Sequence, residues 1–248
     1  MSRHTDFPEP EGLRTRGTVL VVPGRGETRA TYTRFGTRLA AEAYRVRVVD
    51  PPRIDPADIP GSLAWFAAGL AESVALPRPL VLVGADSGAA AIAALLDQQD
   101  PTAGWWPDAV VLAGLPGYAA GVTGTWDEEL DVRTSCPVHR GVLAGDADVE
   151  RGTLRDALPD ELVAPAYEGS TDLPRLFLIG DADPLADRAA LARTVKALPR
   201  ARLSVVRGGH HDVLNDRQHR SVAAEVVTFL ETLGNGLVPV ISVESSTW

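Results

Sequence analysis

The chain alternates between short runs that are apolar on both faces and longer stretches with apolar residues at helical spacing. Thr18–Val22, Pro79–Val83, Asp108–Ala113 and Pro174–Ile179 are runs of the first kind, and Tyr44–Val49 and Arg202–Val206, with polar residues on one face, also read as strands. Apolar runs stopped by Gly or Pro predict buried parallel strands. Between them, Tyr32, Phe35, Leu39 and Ala43 share one helical face, as do Leu63, Phe66, Leu70 and Val74. Further helices are predicted over 87–96, 149–163, 186–198 and 221–233, and Gly141–Ala144 is predicted as a short strand. Residues 1–17 read as an irregular lead-in, and the tail 237–243 reads as extended. Strand–helix repetition of this kind predicts an α/β protein: a mostly parallel sheet with helices on both faces. One domain over 1–248 is expected, with a lid-like insertion at about 117–172 where the alternation blurs.

Composition narrows the function classes. The 248 residues carry 24 Lys+Arg against 33 Asp+Glu, a net charge of −9, with 45% apolar residues. That balance argues against a nucleic-acid partner, which needs clustered cations. No run reaches the roughly 20 apolar residues of a membrane span. The N-terminal segment lacks the apolar stretch of a signal peptide, so a cytoplasmic protein acting on a small molecule is expected. The lone Cys136 excludes an internal disulfide, and the His and Asp residues show no ligand spacing. No metal or organic cofactor is expected, and oligomeric state is not readable.

In open α/β sheets ligands bind beyond the carboxyl ends of the strands. Four turns there carry chemistry. Gly84-Ala-Asp86-Ser87-Gly88 runs from a strand into an Ala-rich helix and has the G-x-Nuc-x-G form of a nucleophile elbow. The small residues flank Asp86 in the better frame and Ser87 in a poorer one; Asp86 as a helix cap is the competing structural role. Gly180-Asp-Ala-Asp183 supplies an acid able to orient a histidine, or else a helix cap. Gly208-Gly-His210-His211-Asp212 follows the last strand. Pro23-Gly24-Arg25-Gly26-Glu27 follows the first, and its amides suit an oxyanion.

Nucleophile, acid, then histidine is the chain order of the α/β-hydrolases, and residues 17–233 resemble that superfamily. The opening turn with Tyr32, Phe35 and Leu39, and the Gly208–Asp216 stretch, resemble the monoglyceride lipase and lysophospholipase branch. Pro23 stands where that branch has histidine. The resemblance implies His211 as the catalytic histidine, Asp183 as its acid, and the amides of Arg25 and Ser87 as the oxyanion hole. At Asp86 the chain departs from the serine of that branch and resembles haloalkane dehalogenases, fluoroacetate dehalogenases and epoxide hydrolases. The expected activity is therefore hydrolysis through an ester on Asp86, of an epoxide, carbon–halogen or related bond. A serine esterase using Ser87 and an inactive pocket-binding protein are the alternatives. Gly24, Gly26, Tyr118, His139, Arg140 and His210 are the candidate substrate contacts.

Overall fold

The computed structural model describes residues 4–71, 75–98 and 101–247. Seven strands form one sheet in the order β1-β3-β2-β4-β5-β6-β7. These are β1 (His4–Phe7), β2 (Thr18–Val22), β3 (Arg45–Val49), β4 (Leu80–Ala85), β5 (Ala109–Ala113), β6 (Arg175–Gly180) and β7 (Ala201–Val206). All neighbours pair in parallel except β1, which runs antiparallel to β3. The helices are α1 (Thr33–Ala41, entered through a 3-10 turn at Arg29–Tyr32), α2 (Ile59–Ala71), α3 (Ser87–Gln98), α4 (Trp126–Arg133), α5 (Pro137–Gly145), α6 (Asp160–Glu168), α7 (Arg188–Ala197) and α8 (His219–Gly234). Val74, which the spacing places with α2, lies outside the described residues.

The period-2 alternation of a strand explains why the central strands are apolar throughout. In β2, Leu20 and Val22 join the core with α2, α3 and α6, while Val19 and Val21 join the opposite core with α1 and α8. Both sets are fully buried, so each strand residue contributes to one of two cores and no face is left for polar side chains. The Ala-rich sequence of α3 follows from the same constraint. Residues Ser87 to Leu96 are all buried, and small side chains let the helix lie close against the strands.

Three local expectations differ. The lead-in contains β1, an edge strand held by its antiparallel register with β3 and by a two-pronged ion pair from Arg47 to Asp6. Gly141–Ala144 is not a strand but the end of α5, which Pro137 starts at its first turn. The helix expected at 149–163 is replaced by turns followed by α6, and α4 has no counterpart in the sequence pattern. Residues 114–174, between β5 and β6, thus hold three helices. The tail after α8 is exposed and not a strand. No described helix is long and apolar enough to cross a membrane.

Candidate active site

The turns after β2, β4, β6 and β7 meet at one end of the sheet. The turn after β4 is sharp: Asp86 has φ 46°, in the left-handed region that costs a non-glycine residue energy. Glycines on either side make room for it. A Cβ at Gly84 would lie 2.6 Å from the Ala89 backbone, and one at Gly88 would lie 2.5 Å from the Val22 carbonyl oxygen. The strained tip is thus Asp86, and Ser87 is already the first residue of α3. The Asp86 N–H donates to the Ala113 carbonyl at 2.9 Å, which fixes the tip against β5.

His211 faces Asp86. Its Nδ1 is 3.0 Å from Asp183 Oδ2, and its Nε2 is 3.2 Å from Asp86 Oδ1. The second contact is close enough for an ion pair but misaligned, so Nε2 makes no hydrogen bond among the described residues. Asp183 is held in turn by the Leu185 N–H on its other oxygen, at 2.9 Å. Two close backbone approaches bring these turns together. A Cβ at Gly180 would lie 1.9 Å from the Gly209 carbonyl oxygen, and one at Gly114, which has φ 54°, 2.4 Å from that of His211.

Asp86 is also gripped by Arg25. The Arg25 N–H and Nε both donate to Oδ2, at 2.9 and 2.8 Å, and Nη2 donates to Oδ1 at 2.7 Å. Burial alone would raise the Asp86 pKa, but the Arg25 cation and His211 hold it well below the usual carboxylate range. Burial alone would make His211 less basic; the two carboxylates on either side outweigh it and push it up to about 10. At neutral pH His211 therefore holds its proton while facing an ionised Asp86.

Beside it lies a second buried cluster that sequence reasoning missed. Arg133, at the end of α4, donates to Glu129 at 3.0 and 2.9 Å, to Thr153 at 3.1 Å and to the Arg25 carbonyl at 2.8 Å. Its Nη1 is 3.5 Å from Asp212, which His139 Nε2 meets at 2.9 Å. Glu27 accepts the Gly24 N–H and the Tyr32 hydroxyl. Burial and the Asp212 charge push Glu27 up to about 7 against the pull of Arg133. The i,i+4 spacing of Glu129 and Arg133 is readable in the sequence; their burial is not. Glu27, His139 and Asp212 also bring one ligand atom each within 4.8 Å of one another. That oxygen–nitrogen–oxygen set suits a divalent cation in type, but the guanidinium already supplies positive charge at Asp212.

The other candidates lie as follows. Ser87 is buried but is not among the hydrogen-bond donors to Asp86 or the partners of His211 in the described residues. Gly24 abuts the Asp86 side chain: a Cβ added at Gly24 would lie 2.8 Å from the Asp86 Cβ. Gly26 lies close to the insertion: a Cβ added there would lie 2.2 Å from the Glu150 carbonyl oxygen. His139 is buried in the second cluster, Arg140 pairs with Asp131 at the surface, His210 Nδ1 meets Asp216 at 3.0 Å, and the Tyr118 hydroxyl donates to Glu168 at 2.9 Å. None of these polar contacts is to Asp86 or His211, because each side chain has a nearer charged partner. An open groove of about 890 Å³ lies at the opposite end of the sheet, near Asp108 and Pro174 at the strand starts, and none of the residues of these four turns lines it.

No protein-family model matches the sequence, and no curated protein matches it. Solved structures do resemble the fold. Monoglyceride lipase from Saccharomyces cerevisiae is similar at TM-score 0.72 and 16% identity, over 93% of this chain and 91% of that one. Monoacylglycerol lipase from Paleococcus ferrophilus is similar at TM-score 0.69 and 16% identity, over 93% and 98%. A type II thioesterase of a yersiniabactin pathway is similar at TM-score 0.57 and 18% identity, over 94% and 99%. Together with the parallel sheet and the strained turn after β4, these likenesses show that the chain has the α/β-hydrolase fold.

Proposed function

We propose that the protein is a hydrolase that forms a covalent ester on Asp86 and releases it with water activated by His211 and oriented through Asp183. The observation that carries this reading is the placement of Asp86. It is the left-handed tip of the elbow, with Oδ2 on the Arg25 amide and Oδ1 3.2 Å from His211 Nε2. Held ionised by Arg25 and His211 in spite of its burial, the carboxylate attacks a saturated carbon without a base. The substrate class is a small organic molecule with a displaceable group on such a carbon, an epoxide or carbon–halogen bond being the simplest.

The charges order the steps. Before attack, His211 is protonated between two carboxylates. Attack by Oδ1 forms an ester bond, expels the leaving group with its electron pair, and removes the charge on Asp86. Without that charge His211 loses one of the two anions that hold its proton. Its proton passes to the alkoxide left by an opened epoxide or, where halide departs, to solvent, and the neutral imidazole is then a base at the step that needs one. Water then adds to the Asp86 carboxyl carbon as His211 takes its proton, negative charge collects on Oδ2 beside the Arg25 amide, and the product alcohol leaves with a proton from His211.

A serine esterase using Ser87 is the second reading, favoured by the lipases and thioesterase of similar fold. Two observations oppose it: the strained tip is Asp86, and the partners of His211 are carboxylates. Parallel assays of Asp86→Asn and Ser87→Ala on panels of short esters, epoxides and haloalkanes separate the two. Loss of turnover in Asp86→Asn with turnover retained in Ser87→Ala supports the ester on Asp86. The reverse pattern contradicts it.

A further inference from the structure

The sequence leads one to expect two backbone amides, those of Arg25 and Ser87, around the developing oxyanion. The hydrogen bonds differ. Asp86 Oδ2 receives two donors from one residue, the Arg25 amide at 2.9 Å and the Arg25 Nε at 2.8 Å. We infer that the Arg25 side chain is itself a catalytic group: its guanidinium is the second donor of the oxyanion hole, and it accelerates hydrolysis of the ester rather than its formation. This rests on the reading of Asp86 as nucleophile.

The two half-reactions place opposite demands on that cation. In the resting site the guanidinium binds both oxygens of Asp86, with Nη2 on Oδ1 at 2.7 Å. Lone pairs held this way are less available for attack. Once Oδ1 is alkylated, Asp86 is neutral and Oδ2 is an ester carbonyl, so the cation faces an uncharged acceptor. Addition of water returns a full negative charge to Oδ2, between the amide and Nε. Hydrogen bonds that become charge-assisted on both sides gain most at that moment. An interaction stronger in the transition state than in the ester is what raises a rate.

The cation is also fixed in advance. Its Nη1 donates to the Asp156 carbonyl of the insertion at 2.6 Å, and the Arg25 carbonyl is held by buried Arg133 at 2.8 Å. The segment between β5 and β6 thereby anchors the oxyanion turn from two sides. Little reorganisation is needed as the charge forms.

The test uses 2-bromoacetamide, a small neutral alkylating agent, and peptide mass analysis of the Asp86 segment over time. Oδ1 bonds to the methylene carbon, bromide departs with the bonding pair, and water later releases glycolamide and regenerates the carboxylate. In Arg25→Gln the adduct is expected to form at least as fast as in the unaltered protein and to be released about 100-fold more slowly or worse. Arg25→Lys, which keeps the charge but not the fork, is expected to fall between them. Should Arg25→Gln not fold, the Lys variant decides by the same readout: slower release supports the inference, and equal release overturns it. Release from a folded Arg25→Gln as fast as from the unaltered protein also overturns it, while leaving Asp86 as nucleophile. Absence of any Asp86 adduct in these proteins and in His211→Gln removes the nucleophile reading, and this inference with it.

Discussion

Asp86 and His211 are held as an ion pair, with Oδ1 3.2 Å from Nε2, while Asp183 takes the opposite ring nitrogen at 3.0 Å. The histidine is thus oriented from one side and faces the Asp86 carboxylate, the proposed nucleophile, from the other. Replacing it with glutamine leaves alkylation of Asp86 possible and removes the base for the second step. Hydrolytic turnover in His211→Gln is expected to fall about 10²- to 10⁴-fold, with the alkylated Asp86 peptide accumulating. Mass analysis after mixing with an alkylating substrate checks this.

The raised pKa of His211 makes a prediction about stability. Burial opposes the imidazolium, but Asp183 and Asp86 raise the folded value to about 10 from 6.5. A group raised on folding contributes its full stabilisation below the unfolded value and loses it as pH rises through the folded value. The protein should therefore lose stability progressively between about pH 6.5 and about pH 10. His211→Gln should show a flatter profile in that window. Urea unfolding across pH measures both. Asp86→Asn should lower the His211 titration midpoint, which proton NMR of the ring reads directly.

The elbow should not tolerate a methyl group. A Cβ at Gly88 would sit 2.5 Å from the Val22 carbonyl oxygen and 2.6 Å from that of Pro23. Both contacts are to backbone, which cannot rotate away. Gly88→Ala is expected to cost roughly 1–3 kcal/mol and to push α3 off β2, so that activity falls more than stability does. Denaturant titration beside an activity assay tests the ordering.

Arg133 is almost fully buried among Glu129, Asp212 and the Arg25 carbonyl. Removing one partner of a buried charge cluster leaves the others uncompensated. Arg133→Met is expected to destabilise the protein by about 3–5 kcal/mol, measured by thermal or urea unfolding. Glu129→Gln in the same background should recover part of that loss, because it removes one of the stranded carboxylates.

The parallel core and the three turns of Asp86, Asp183 and His211 are legible in the sequence because both depend on local signals. An apolar run that ends in glycine reports a buried strand wherever it packs, and a catalytic turn in this fold sits at a strand end. What escapes a sequence reading depends on distant partners. β1 is polar and short, and it is a strand because Arg47 and the edge of β3 receive it. Gly141–Ala144 looks like a strand in isolation, but Pro137 and the buried Leu143 make it part of a helix. In the sequence Arg25 offers only its amide; that its side chain closes on Asp86 depends on Asp156, some 130 residues on. The Arg133 cluster joins residues 27, 129, 139 and 212, none of which is marked in sequence by the others.

The central claim is that Asp86 carries the substrate covalently. A single turnover in heavy-oxygen water, with enzyme in excess of a haloalkane or epoxide substrate, tests it most directly. Water attacks the Asp86 carboxyl carbon in this mechanism, so one heavy oxygen should appear in the peptide containing Asp86 and none in the first-turnover product. Heavy oxygen in the product with an unlabelled Asp86 peptide would contradict it.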